Sequence, residues 1–169
     1  MKDNIILIGY MGAGKSLTAE YLAGELGYTA IDIDDEIESL GTSIPDLFKK
    51  FGESGFRRLE TTVLSEISEV KHYVISTGGG VVERSENIEI LKKMGYVVYL
   101  EAPVTTLWWR VKRSAKERPL ATDFYSFNQR LEARKPKYQA AADLTVKVDR
   151  KGTKALVDII KEHYENSDN

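Results

Sequence analysis

Residues 5–16 read Ile5-Ile-Leu-Ile-Gly9-Tyr-Met-Gly-Ala-Gly14-Lys15-Ser16, and the fold turns on them. Three isoleucines and a leucine in a row make a short strand of the kind covered on both faces. The eight residues after them match G-x-x-x-x-G-K-[ST] in full. Behind the motif Ala19, Leu22, Ala23 and Leu26 recur at i, i+3, i+4, i+7, and Gly27 follows as a natural stop. Strand, glycine loop and helix in that order let successive N–H groups surround phosphate oxygens while the helix aims its positive end at the same anion. Lys15 can reach the β- and γ-phosphates and the Ser16 hydroxyl can ligate Mg²⁺. A chance glycine turn bearing a solvated lysine would need neither the strand nor the helix. The stretch implies ATP or another nucleoside triphosphate with magnesium, and leaves the phosphoryl acceptor open.

Outward from it, short apolar runs alternate with amphipathic stretches. Strands are expected at 5–8, 29–33, 73–76, 96–100 and 144–148, several of them apolar throughout. Ser85 opens a helix carrying Ile88, Leu91 and Met94 that Gly95 closes, and Leu156, Ile159, Ile160 and His163 mark another. Five strands with helices between them predict a three-layer α/β/α sandwich on a parallel sheet. Residues 34–70 and 112–125 break the rhythm: the first long, helical and aromatic-bearing, the second polar. Insertions at the rim of such a sheet usually carry function.

Composition narrows the class. The 169 residues suit one domain, and 24 basic against 26 acidic side chains give a net charge of −2. That balance offers no general attraction to nucleic acid or an anionic membrane. The absence of cysteine excludes disulfides, thiolate metal sites and cysteine nucleophiles. The apolar run at 5–8 is too short for a signal peptide or a membrane span, so a cytoplasmic enzyme or binding protein is expected.

On the acceptor side, Ala30-Ile-Asp32-Ile-Asp34 places two acids two apart where a strand ends. Period-two alternation would turn both carboxylates to one side, at the sheet edge where α/β proteins bind ligands. One acid near Mg²⁺ and one near an acceptor hydroxyl would suit phosphoryl transfer. Equally, Asp34 or Asp35 would serve to start a helix, with Glu38 completing a box from Asp35. Thr77-Gly-Gly-Gly80 follows another strand and permits close backbone approach to a ligand, although a flexible loop tip would look the same. Arg57, Arg118 and Arg134 supply planar forks suited to carboxylate and phosphate, and any one alone would pass for a solvated side chain.

Taken in order, Gly9 to Ser16, Asp32-Ile-Asp34, Gly41-x-Ser43-Ile44, Gly52-Glu53-x-x-Phe56-Arg57-x-x-Glu60, Thr77-Gly-Gly-Gly80, Arg118-Pro119-Leu120, Arg134-x-Pro136-x-Tyr138 and Ala142-Asp143 resemble the shikimate kinases over nearly the whole chain. The resemblance implies ATP-dependent phosphorylation of the 3-hydroxyl of shikimate, toward chorismate and the aromatic amino acids. It implies a P-loop fold of nucleoside monophosphate kinase type with strands ordered 2-3-1-4-5. Residues 1–169 would form a single kinase domain, with 34–70 as substrate-binding insertion and 112–125 as lid. By the resemblance Asp34 is the general base at the acceptor hydroxyl, and Arg57 and Arg134 hold the shikimate carboxylate with Glu60 orienting arginine. Gly78, Gly79 and Gly80 approach the ring. Lys15 and Arg118 neutralise the moving phosphoryl group. Gly12, Ala13, Gly14, Lys15, Ser16 and Leu17 cradle the nucleotide, with Arg110 and Arg150 near adenine. Ser16 and Asp32 belong to the magnesium. A monomer is expected, with a small-molecule substrate and neither nucleic acid nor membrane as partner.

The chain departs from the pattern in places. Lys137 stands where the family segment carries a leucine before the tyrosine, which predicts a shifted surface contact without loss of activity. Trp108-Trp109 is unusual in a helix before the lid, with core packing expected for at least one. No apolar strand ends in Asp-Glu as a second nucleotide motif. Other readings stay open: a gluconate or adenylate kinase on the same fold, a nucleotide switch without acceptor, and a nucleic-acid-stimulated ATPase.

Overall fold

The computed structural model describes residues 2–148 and 151–167. Five strands form one parallel sheet: β1 (Ile5–Ile8), β2 (Thr29–Asp32), β3 (Tyr73–Ser76), β4 (Tyr96–Glu101) and β5 (Leu144–Lys147), in the order β2-β3-β1-β4-β5. The helices are α1 (Lys15–Leu26), α2 (Ile33–Glu38), α3 (Ile44–Glu66), α4 (Ser85–Met94), α5 (Val104–Arg113), α6 (Phe124–Ala141) and α7 (Thr153–Asn166), with a 3₁₀ turn at Val81–Glu83. Helix α1 packs on β2 and β3 and against α7, while α3, α4, α6 and the 3₁₀ turn form a second group that rests on β4. This is the expected sandwich and strand order.

β1 is the central strand because all four of its side chains are apolar and fully buried. Each contributes about 1.5–3 kcal/mol of burial. Strands β2 and β5 lie at the edges and show it: Thr29 and Ala30 are exposed, and β5 buries only Val146 fully. The register pairs Leu7 with Ser76. Thr77 then donates to Leu7 O through both its amide (3.2 Å) and its hydroxyl (3.0 Å), which brings the phosphate loop and the glycine triplet side by side at the carboxyl edge.

Asn4 ties the opposite edge together. Its Nδ2 donates to Val70 O at 2.7 Å and Met94 O at 2.9 Å, and its Oδ1 accepts from Tyr73 N at 3.0 Å. Removing a buried side chain of this sort strands several backbone groups at once. Asn4→Ala is expected to lower stability by about 2–4 kcal/mol, read as a lower urea midpoint at unchanged m-value.

β2 ends one residue earlier than the 29–33 expected. Asp32 is the N-cap of α2, its Oδ1 accepting from Asp34 N at 2.9 Å, so Asp34 sits in a first helical turn and not on the pleat. The alternation that would have aligned the two carboxylates stops before it reaches Asp34. Capping does occur here, but the cap is Asp32, not Asp34 or Asp35. Glu38 instead accepts from Ile44 N at 2.9 Å. Residues 34–70 therefore hold most of α2 and all of α3 with short turns between and after them, and α3 breaks at Gly52, where φ is 66° and ψ 179°. Glycine suits that left-handed position, and the break sets the second half of the helix, with Arg57 and Glu60, on a new course. The irregular part of 112–125 is shorter than expected, 114–123, because α5 runs to Arg113 and Asp123 caps α6 by accepting from Ser126 N at 2.9 Å. Trp108 meets the rings of Phe124 and Phe127 edge-on at 5.7 and 5.1 Å, whereas Trp109 is exposed. Among the described residues no helix is long and apolar enough to cross a membrane.

Candidate active site

Two cavities meet at the carboxyl edge of the sheet. The larger, about 1160 Å³ with its open mouth, is lined by Gly12, Ala13, Gly14, Lys15, Ser16 and Leu17, together with Asp32, Arg110 and the start of α7 at Thr153 and Leu156. The second, about 540 Å³, is lined by Arg57, Gly78, Gly80 and Arg134 among the residues singled out above, with Phe48 and Phe56 as apolar walls. Met11, Asp34, Gly79 and Arg118 line both. Every residue named from the sequence for the nucleotide side is thus gathered in the first cavity except Arg150, which lies outside the described residues.

In the first cavity the Lys15 ammonium is buried and donates to Gly9 O at 2.8 Å and Tyr10 O at 3.1 Å. Burial, reinforced by the nearby Arg118 charge, draws its pKa down to about 8. An anion arriving there would restore what burial takes away. The Ser16 hydroxyl donates to Asp32 Oδ2 and lies 3.4 Å from Ser76 Oγ. Arg110 Nη1 donates to Gly12 O at 3.2 Å, fixing the loop from α5. Among the described residues no three His, Cys, Asp or Glu side chains cluster as a protein-only metal cage. One hydroxyl and one carboxylate converging beside a phosphate loop are hard oxygen donors, the set Mg²⁺ uses when phosphates and waters complete its shell.

The second cavity is built on buried charge. Arg57 Nη1 donates to Glu60 Oε2 at 2.9 Å, and Glu60 is completely buried. Burial pushes the Glu60 carboxyl above its ordinary range, with Arg57 opposing. Arg57 crosses directly over Gly80, where a Cβ would lie 2.0 Å from Nη2, so any side chain there would push the guanidinium out of this position. Arg134, 1% exposed, donates from Nε to Glu83 Oε1 at 2.5 Å, while its Nη1 and Nη2 have no hydrogen-bond partner. Two buried, unanswered N–H groups beside a second arginine form a seat for a carboxylate. Tyr138 stacks on Tyr99 at 4.9 Å and its hydroxyl donates to Gly79 O, anchoring the glycine triplet from α6.

Asp34 stands at the junction. Arg118 Nη1, from the 114–123 loop, lies 3.4 Å from its Oδ2, and Lys116 Nζ 3.8 Å from the same oxygen. Burial and the adjoining Asp32 raise the Asp34 pKa despite these cations.

Residues without an assigned role in the sequence also contribute. Glu53 lies 3.5 Å from Arg57, 3.3 Å from Arg130 and 3.7 Å from Arg134, holding three guanidinium groups in one array. Its place in the Gly52-Glu53 motif is the available signal, as Tyr138's is its place after Pro136. Glu83 and Lys116 carry none, since their partners Arg134 and Asp34 are far away along the chain.

The chain has counterparts among known proteins. The shikimate kinase family model matches residues 11–165. The shikimate kinase of Lactococcus lactis subsp. cremoris (strain SK11) is 39% identical over 165 residues, 96% of this chain and 98% of its own. That of Haemophilus influenzae (strain PittEE) is 39% identical over 170 residues, 98% and 94%. A solved Acinetobacter baumannii shikimate kinase in complex with shikimate superposes with a TM-score of 0.93 at 38% identity, covering 98% of this chain and 94% of that one. A Sinorhizobium meliloti gluconokinase, at 17% identity and TM-score 0.66, shares the fold alone. Matched along nearly its full length in sequence and structure, the chain belongs to the shikimate kinase family.

Proposed function

We propose that the two cavities are the donor and acceptor halves of one site, in which the terminal phosphoryl group of ATP passes to the 3-hydroxyl of shikimate. The observation that carries this is their shared wall: Asp34, Arg118, Met11 and Gly79 face both, so an acceptor in the smaller chamber meets the phosphate loop across one carboxylate. Arg57 and the unpartnered Nη1 and Nη2 of Arg134 take the substrate carboxylate at the chamber's far side. The Gly78, Gly79 and Gly80 backbone lies along the ring, and Phe48 and Phe56 exclude water from its apolar side.

With the carboxylate so held, the 3-hydroxyl is offered to Asp34. Asp34 accepts its proton as the oxygen bonds to the γ-phosphorus and the bond from that phosphorus to the bridging oxygen of ADP breaks. A raised pKa makes Asp34 a better proton acceptor. Lys15 and Arg118 balance the charge on the transferring group, and Arg118 does so only while the 114–123 loop lies over the site. In this reading the lid closes over bound substrate and keeps water from competing. Ser16 and Asp32 would hold Mg²⁺, which supplies further neutralisation of the phosphate oxygens.

The test is ADP release from MgATP with shikimate, gluconate, AMP or no acceptor. Stimulation by shikimate alone is the expected result. Stimulation by gluconate or AMP would keep the kinase and overturn the acceptor, and nucleotide binding without stimulated turnover would favour a switch.

A further inference from the structure

Arg134 has two carboxylates within reach, yet neither occupies its Nη groups. Glu53 Oε1 stands 3.7 Å from Nη2, too far for a hydrogen bond, and is drawn to Arg130 and Arg57 instead. Glu83 is closer, with Oε1 accepting from Nε at 2.5 Å. A carboxylate on the side of a guanidinium ordinarily takes two parallel N–H bonds, one from Nε and one from an Nη. Here the second oxygen is engaged elsewhere: Lys137 Nζ, one turn further along α6, donates to Glu83 Oε2 at 2.7 Å. The partly buried Glu83 would be pushed up by desolvation, but hydrogen bonds from Lys137 and Arg134 hold it down to about 2, so it remains a full anion.

We propose that Lys137 is a positioning residue for shikimate binding: by occupying Glu83 Oε2 it confines Glu83 to Nε and leaves both Nη groups of Arg134 free for the substrate carboxylate. Lys137 touches no ligand in this scheme. It acts through Glu83, which without it is free to turn its second oxygen onto Arg134 and compete with the substrate for the same donors.

The inference rests on the reading of Arg134 as a carboxylate ligand, so the experiment carries Arg134→Ala as a control. Lys137→Met keeps the aliphatic stem and removes the charge. It is expected to raise the shikimate KM about three- to tenfold, the size of one net hydrogen bond lost to competition, with kcat and the ATP KM unchanged. Lys137→Arg retains a donor and is expected to keep the native KM. Glu83→Gln removes the competing anion, so the Lys137→Met/Glu83→Gln double variant is expected to bind shikimate no worse than Glu83→Gln alone. An unchanged KM in Lys137→Met, or a double-variant KM equal to the product of the two single effects, would overturn the proposal. If Arg134→Ala raises KM while Lys137→Met does not, only the role of Lys137 fails. If Arg134→Ala leaves KM unchanged, the Arg134 assignment fails and this inference with it.

Discussion

Asp34→Asn is expected to reduce kcat by about 10²–10⁴-fold while nucleotide affinity stays close to native. Asn is nearly the same shape and can still accept a hydrogen bond, but it cannot take the hydroxyl proton. Lys15, the loop and Arg110 line the nucleotide cavity, and Asn leaves their hydrogen bonds in place. Steady-state turnover together with an ADP titration checks both halves. The pH profile gives a second readout. Because burial and Asp32 raise the Asp34 pKa above 3.8, kcat/KM should fall on the acid side along a limb displaced upward from the ordinary carboxylate range. That limb should vanish from the residual activity of the variant. Unfolding does not supply an alternative explanation. A carboxylate with a raised folded-state pKa binds its proton more tightly folded than unfolded, so its effect on stability becomes unfavourable as pH rises from 3.8 through the folded value. Asn carries no such penalty, and urea denaturation at neutral pH should find the variant at least as stable as the native chain. Turnover within a few-fold of native would remove Asp34 as the base.

Arg134→Ala acts on the other substrate parameter. Losing one partner of a buried, hydrogen-bonded charge costs about 2–5 kcal/mol, which places the expected rise in shikimate KM on the order of 10²-fold. The ATP KM should hold, since Arg134 lines only the smaller chamber. Arg134→Lys is expected to recover little, because an ammonium cannot donate to Glu83 from one nitrogen and to a carboxylate from two others in a fixed plane. A native KM in Arg134→Ala would place the substrate carboxylate elsewhere.

What can be read from the amino-acid order divides along physical lines. β1, the phosphate loop and α1 are legible because each signal is local: an unbroken apolar run, glycines at fixed offsets, a 3.6-residue period. Asp34 is rightly grouped with Asp32 by the sequence, but on the wrong backbone. A strand pattern and an aspartate cap compete over the same residues, and the bond from Asp34 N to the Asp32 side chain wins. The break at Gly52 is hidden because the apolar pattern of residues 44–66 continues through it, and helical periodicity alone does not report a single left-handed residue. Arg57 and Glu60, three apart on one helix, can be found as a pair. The Arg134–Glu83–Lys137 group cannot, because Glu83 comes from a 3₁₀ turn distant in sequence and is brought to α6 only by the sheet. Trp108 and Trp109 are adjacent and chemically identical, and only the tertiary packing separates a ring set edge-on among phenylalanines from one left in solvent.

Asp32 carries a consequence for how the two ligands influence one another. Its Oδ1 accepts from the Asp34 amide and its Oδ2 from the Ser16 hydroxyl, so one rigid carboxylate spans the donor and acceptor halves. A cation held by Ser16 and Asp32 would act on the same group that fixes the first turn of α2 and with it Asp34. Any resulting change in acceptor affinity must be matched, factor for factor, by the acceptor's effect on the nucleotide complex, since thermodynamic coupling runs equally in both directions. Two binding constants that look separate would then be tied through a single side chain.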